Sequence, residues 1–198
     1  MTYDLTLALC IFAFVSSITP GPNNLMLMAS GANFGFMRTV PHMLGVGLGF
    51  VFMVIMVGAG FIQIFATYPI GYTILKGISV VYLIWLALKI AGSAPPDTNQ
   101  ATEPTPITFL QAAAFQWVNP KAWAMALTAI TVYTPDTSIG TIALVAFIFG
   151  AINIPAVSSW TLLGQGISRW LRNPGQLRLF NWAMATILVL SLYPVLFP

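Results

Sequence analysis

Six apolar runs follow one another along the chain, each close to or above the roughly 20 residues a helix needs to cross the hydrocarbon core of a bilayer. They are Asp4–Ser30, Val40–Phe65, Pro69–Ala91, Pro106–Tyr133, Ile139–Leu163 and Leu177–Leu196. In lipid the backbone must satisfy its own hydrogen bonds, so runs of this length predict spanning helices. The rest of the composition agrees. Of 198 residues, 58% are hydrophobic and only 6% charged, against about 25% charged in soluble domains. A water-facing surface cannot be built from this chain, and its main solvent is lipid. The expected class is an all-α integral membrane protein with six transmembrane helices in one domain, residues 1–198.

The first run raises a question of processing. Leu5–Ile18 could pass for the apolar core of a signal peptide. However, the only charge before it is Asp4, no A-x-A-like cleavage site follows, and the run leads into Pro20-Gly21-Pro22. A retained first span is the expectation.

The seven basic residues are scattered singly and the net charge is only +3. That gives no electrostatic footprint for nucleic acid. Cys10, the single cysteine, cannot form an internal disulfide and reads as a packing residue.

Positive charge does suggest an orientation. Arg38 lies in the first expected loop, Lys89 at the edge of the third, and Arg169, Arg172 and Arg178 in or beside the fifth. The second and fourth loops carry no Lys or Arg. By the positive-inside rule, the odd-numbered loops face the cytoplasm and both termini face outward.

The polar stretch Gly92–Thr105 divides the chain into residues 1–91 and 106–198, each with three spans. Three is odd, so equivalent helices of the two halves cross in opposite directions. Pro20 and Pro120, 100 residues apart, interrupt the first and fourth spans, within Thr19-Pro20-Gly21-Pro22-Asn23 and Asn119-Pro120-Lys121. Lys76 opens the third span much as Arg178 opens the sixth, and the second and fifth are both punctuated by glycine. Matched interruptions in inverted repeats point to a transporter's central site. A proline within a helix frees the carbonyl one turn earlier, and in a membrane freed groups are tolerated only inside protein or beside a water-filled cavity. Pro20, Gly21, Pro22 and Pro120 are therefore expected to face the interior, although proline kinks that serve packing alone are common.

Lys121 is the sharpest single candidate. It sits fifteen residues into the fourth run, about 22 Å along a helix, and an intramembrane lysine is a functional hypothesis by default. The role expected of it is to bind a substrate carboxylate; the competing reading is snorkelling to the outer interface. Asn23, Asn24 and Asn119 flank the breaks and offer both donors and acceptors, unless they serve only as interhelical glue. Asn153, near Pro155, is second in rank on the same argument. Lys76 divides evenly between function and snorkelling. His42, the only histidine, could titrate near neutrality, but a solvated interfacial position is the reading favoured for it. Tyr3, Tyr68, Tyr72, Trp170, Trp182 and Tyr193 read as interface anchors. Trp117 and Trp123 flank Pro120 and read as packing residues before cavity-lining ones. No Asp or Glu lies deep in a span, which leaves a proton relay without an obvious carboxylate.

The motifs Ser17-Ile18-Thr19-Pro20-Gly21-Pro22-Asn23-Asn24, Gly45-Val46-Gly47-Leu48-Gly49-Phe50 and Phe115-Gln116-Trp117-Val118-Asn119-Pro120-Lys121-Ala122 resemble those of the LysE/RhtB family of amino-acid exporters. So does the third-span stretch from Gly77 to Ile90, and the likeness is nearest to the cysteine/O-acetylserine branch. The resemblance covers the whole chain. It implies six helices, a bacterial inner-membrane location, export of a small amino acid coupled to protons, and a homodimer; it implies no cofactor or metal. The residues that match the motifs, Thr19, Pro20, Gly21, Pro22, Asn23, Asn24, Asn119, Pro120 and Lys121, form the expected substrate site. A channel or scramblase-like protein, or a structural membrane subunit, are the rival classes. An enzyme is disfavoured by the lone histidine and the absence of a buried acid.

Overall fold

The computed structural model describes residues 1–61, 67–68, 70–93, 105–136, 138–171 and 173–193, with the backbone only at Tyr72. Among these, all regular structure is helical: α1 (Tyr3–Ile18), α2 (Pro22–Gly58), α3 (Ile70–Ala91), α4 (Phe109–Val118), α5 (Pro120–Tyr133), α6 (Ile139–Ser168) and α7 (Pro174–Leu190). Helices α2 and α6, and α3 over Thr73–Ala91, are long and apolar enough to cross a membrane. Most of the Gly92–Thr105 linker, with Asp97 and Glu103, lies outside the described residues, as do Arg172 and the side chain of Tyr72.

Short polar residues set the helix starts. Thr2 accepts from the Leu5 N–H at α1. Thr108 and Gln111 form a reciprocal capping box at α4. Asn119, Ser138 and Asn173 cap α5, α6 and α7. Each removes a donor that the first helical turn would otherwise leave without a partner. Pro22, Pro120 and Pro174 follow at the starts of α2, α5 and α7, where a missing N–H costs nothing and the fixed φ suits a helix. Pro41 and Pro155, by contrast, lie inside helices that continue past them.

The first expected connection, between Ser30 and Val40, shrinks to a single non-helical residue, Gly35. Arg38 and the polar residues around it lie within α2, which changes direction at Gly35. Gly35 has φ 76° and ψ 172°, a backbone that glycine alone adopts cheaply. Helix α2 is thus two helical segments meeting at a glycine hinge, where the sequence had suggested two spans joined by a connection.

Packing is organised around α2, whose most extensive partner is α6. Backbones meet directly where they cross: a Cβ on Gly31 would collide with the Thr161 carbonyl, and one on Gly164 with the Met28 carbonyl. Two apolar cores result. One gathers Leu25–Ala29, Met43, Val46, Leu83, Leu86, Phe115 and Leu188. The other gathers Leu9, Phe50, Met53, Met125, Val145 and Phe149.

The outside is equally apolar. Leu7, Ile11 and Phe14 on α1, Leu44, Leu48, Phe52 and Ile55 on α2, and Ile74, Ile78, Val81 and Leu88 on α3 are exposed at helical spacing. Asn24, Gln116, Asn119, Asn153 and Asn181 are buried. Helices apolar on their outer faces, with amides inside, suit a lipid solvent. Tyr3, Tyr68, Trp170, Trp182 and Tyr193 are exposed, as interface anchors require. Trp117 packs edge-on against Phe52, Phe61 and Trp123, which fits the packing role.

Candidate functional site

Between Ile18 and Pro22 the chain leaves the helix. Pro20 and Pro22 have no N–H, and Gly21 is fully extended with φ −178°. The carbonyls of Ser16, Ser17 and Ile18 therefore lose their partners one turn on. Side chains replace them all. Thr19 Oγ1 donates to the Ser16 carbonyl at 3.0 Å. Asn24 Nδ2 donates to the Ser17 and Thr19 carbonyls, both at 2.8 Å. Trp160 Nε1, from α6, donates to the Ile18 carbonyl at 3.1 Å.

The last donor comes from the other half of the chain. Lys121 Nζ donates to the Thr19 carbonyl at 2.7 Å, to Thr19 Oγ1 at 3.1 Å and to the Pro20 carbonyl at 3.4 Å. Its ammonium thus rests at the C-terminal end of α1, where the helix dipole favours a cation. Gly21 makes room for it: a Cβ there would lie 2.8 Å from Lys121 Cδ and 3.2 Å from Nζ.

The second break lies at Asn119, between α4 and α5. Asn119 Oδ1 accepts from the Lys121 N–H at 3.1 Å, which fixes the first turn of α5 and the direction in which Lys121 leaves it. Gln116, one turn before Pro120, pairs with Asn23 across the bundle. Asn23 Nδ2 donates to Gln116 Oε1 at 2.8 Å, and Gln116 Nε2 donates to Asn23 Oδ1 at 3.2 Å. This reciprocal amide pair ties the start of α2 to the end of α4.

The two breaks enclose one cavity. Gly21, Asn23, Asn24, Asn119, Lys121 and Asn153 line it, together with Ser16, Ser17, Phe50, Gln116 and Met125. Its free volume is about 20 Å³, room for a single water and far too little for an amino acid. Thr19 and Pro20 contribute to the site through the oxygens that hold Lys121. Pro22 and Pro120 contribute by starting the helices whose first N–H groups have no intrahelical acceptor. Gly21 offers no side-chain cap at α2, so that helix start remains open to an anionic group.

Two expected residues lie elsewhere. Neither Lys76 nor His42 lines this cavity. His42 is not interfacial: it is fully buried, and neither ring nitrogen has a hydrogen-bond partner. The reason is that α2 continues as helix through Thr39–Met43, which carries His42 into the interior. Sequence reasoning had passed over Ser16, Ser17, Gln116 and Trp160 as site residues. Gln116 carried a legible signal, one turn before Pro120; Trp160 carried none.

Comparison with known proteins identifies the family. Residues 14–191 match the model of the LysE type translocator family. The cysteine/O-acetylserine efflux proteins of Escherichia coli K12 and of Shigella sonnei Ss046 are each 29% identical over 195 residues, covering 96% of this chain and 96% of theirs. That of Escherichia coli O139:H28 is 28% identical over the same length. No solved structure is a significant match. The relatives carry the names of efflux proteins and the family that of a translocator, so the chain is a membrane transporter and not an enzyme. With 178 of its 198 residues matched, from 14 through 191, the chain belongs to the LysE type translocator family.

Proposed function

We propose that this protein is a secondary transporter that exports a small neutral amino acid or a derivative of one, cysteine and O-acetylserine among them, across the bacterial inner membrane. The observation that carries the reading is the convergence of two helix breaks from opposite halves of the chain on one polar cavity. The efflux relatives supply the substrate class. Among the described residues the cavity is lined by one cation, Lys121, and no carboxylate, a balance that favours a ligand with an anionic group and no excess positive charge.

In this reading α1 with the first segment of α2 forms one broken span, and α4 with α5 another. With the second segment of α2, and with α3, α6 and α7, that makes six spans in two inverted repeats. Both termini are outside, and two copies assemble as a homodimer. Transport proceeds by alternating access around the cavity and is coupled to protons. Lys121 is the switch. In the closed state its ammonium holds the Thr19 and Pro20 carbonyls. In the loaded state it exchanges them for the substrate carboxylate, which also meets the open start of α2 near Asn23 and Asn24. Such an exchange supplies the difference in interaction between two states that a conformational change requires.

Bacterial cells overproducing the protein, fed a panel of dipeptides, test the proposal. Selective accumulation of one or a few amino acids in the medium, lost in an equally expressed Lys121→Ala variant, is the expected outcome. Efflux equal to the empty-vector control, despite correct membrane insertion, overturns the export reading; efflux that survives in the variant overturns the role of Lys121 alone.

A further inference from the structure

One hydrogen-bonding atom on the cavity wall has no partner. Asn153, on α6, lines the cavity and is 4% exposed. Its Nδ2 donates to Ser17 Oγ at 2.9 Å, but its Oδ1 is buried with no hydrogen bond at all. A buried acceptor left unmade is destabilising, and an orphaned group of this kind in a native protein calls for an explanation. The other such side-chain atoms among the described residues belong to His42 and Thr161, which do not line the cavity.

The surroundings indicate what belongs there. Asn23 and Gln116 spend their amides on each other. Asn24 spends its donors on the α1 carbonyls, and Asn119 Oδ1 is held by the Lys121 N–H. Lys121 can only donate. Among the described residues no carboxylate lines the cavity, so a ligand cation finds no charge partner and must be met by a neutral acceptor. Asn153 Oδ1 is an acceptor already in the wall and already desolvated, and its partner Ser17 holds the amide by the opposite end.

We propose that Asn153 Oδ1 accepts a hydrogen bond from the α-ammonium group of the transported amino acid, and that this contact selects α-amino acids over carboxylic acids lacking the amine. The inference rests on the export reading above and deepens it. Lys121 and the start of α2 take the carboxylate end of the ligand; Asn153, oriented by Ser17, takes the amine end.

The test uses two probes that differ only in the α-ammonium, L-cysteine and 3-mercaptopropanoate, kept reduced. Their binding to the purified full-length protein is measured for wild type, Asn153→Leu and Asn153→Asp. Wild type is expected to bind L-cysteine about tenfold or more tightly than the des-amino acid, the size of one charge-assisted hydrogen bond. Asn153→Leu should weaken L-cysteine by about that factor and leave 3-mercaptopropanoate within about twofold. Asn153→Asp keeps the acceptor and should keep the preference for the amine; it decides the matter alone if the leucine variant fails to fold. Equal weakening of both probes by Asn153→Leu, or loss of the preference in Asn153→Asp, overturns the assignment while the export reading stands. Wild type that binds neither probe overturns this proposal together with the substrate class beneath it.

Discussion

Lys121 does two things that are hard to combine in an apolar bundle. It donates to the Thr19 and Pro20 carbonyls at the break, and it brings a cation to the wall of a cavity. Gly21 is needed for space, since its φ of −178° is open to any residue. Gly21→Ala should therefore displace the flexible lysine side chain, lowering efflux several-fold while the thermal midpoint in detergent changes little. A large drop in midpoint would instead make Gly21 a packing residue. Asn24 differs, because its donors are structural. Asn24→Leu leaves the Ser17 carbonyl without a donor and should cost about 1–3 kcal/mol, read as a lowered unfolding midpoint; an unchanged midpoint would mean another donor takes over. The sequence made the residues at both breaks legible, because Pro-Gly-Pro and Asn-Pro-Lys announce freed backbone groups. It did not reveal which side chains answer them. Trp160 reaches the Ile18 carbonyl from 142 positions away, and no local pattern encodes that pairing.

At the level of helices, the break at Asn119-Pro120 was readable, whereas the last helix starts at Pro174, three residues before the expected Leu177. Helix limits were misread around Gly35, where the expected connection between the first two spans is almost wholly helical. Arg38 suggested a connection, yet the helix resumes immediately after Gly35, and Thr39 Oγ1 donates back to the Gly35 carbonyl at 2.8 Å. Hinge and crossing points on α2 and α6 then carry distinct expectations. Gly35 has open space around it, so Gly35→Ala should cost roughly 1–2 kcal/mol through its positive φ alone and slow efflux by resisting the bend. Gly164 and Gly166 stand two residues apart on α6 with opposite surroundings. A Cβ on Gly164 meets the Met28 backbone, whereas one on Gly166 meets nothing within 4 Å. Gly164→Ala should abolish the monodisperse peak in gel filtration, since neither backbone can move aside. Gly166→Ala should be tolerated or add about 0.5–1 kcal/mol of helix stability. Equal behaviour of the two would contradict the close crossing of α2 and α6.

At the level of the whole molecule, fold class was legible because lipid imposes the simplest of patterns, long apolar runs with few charges in them. The central cavity was legible in outline for the same reason: broken helices in lipid need an interior. Its size was not, because a volume of about 20 Å³ depends on how side chains from α1, α2, α4, α5 and α6 interlock. In the proposed cycle that cavity opens to one side of the membrane and then to the other. Met125 lines it without taking part in the hydrogen-bond network. Its replacement by cysteine, in a chain whose only native cysteine, Cys10, is changed to serine, reports on access most directly. A membrane-impermeant thiol reagent applied from each side in turn should label residue 125 from both sides, with saturating substrate protecting it. Failure to label from either side while efflux continues would put the translocation path elsewhere and contradict the central role assigned to the cavity.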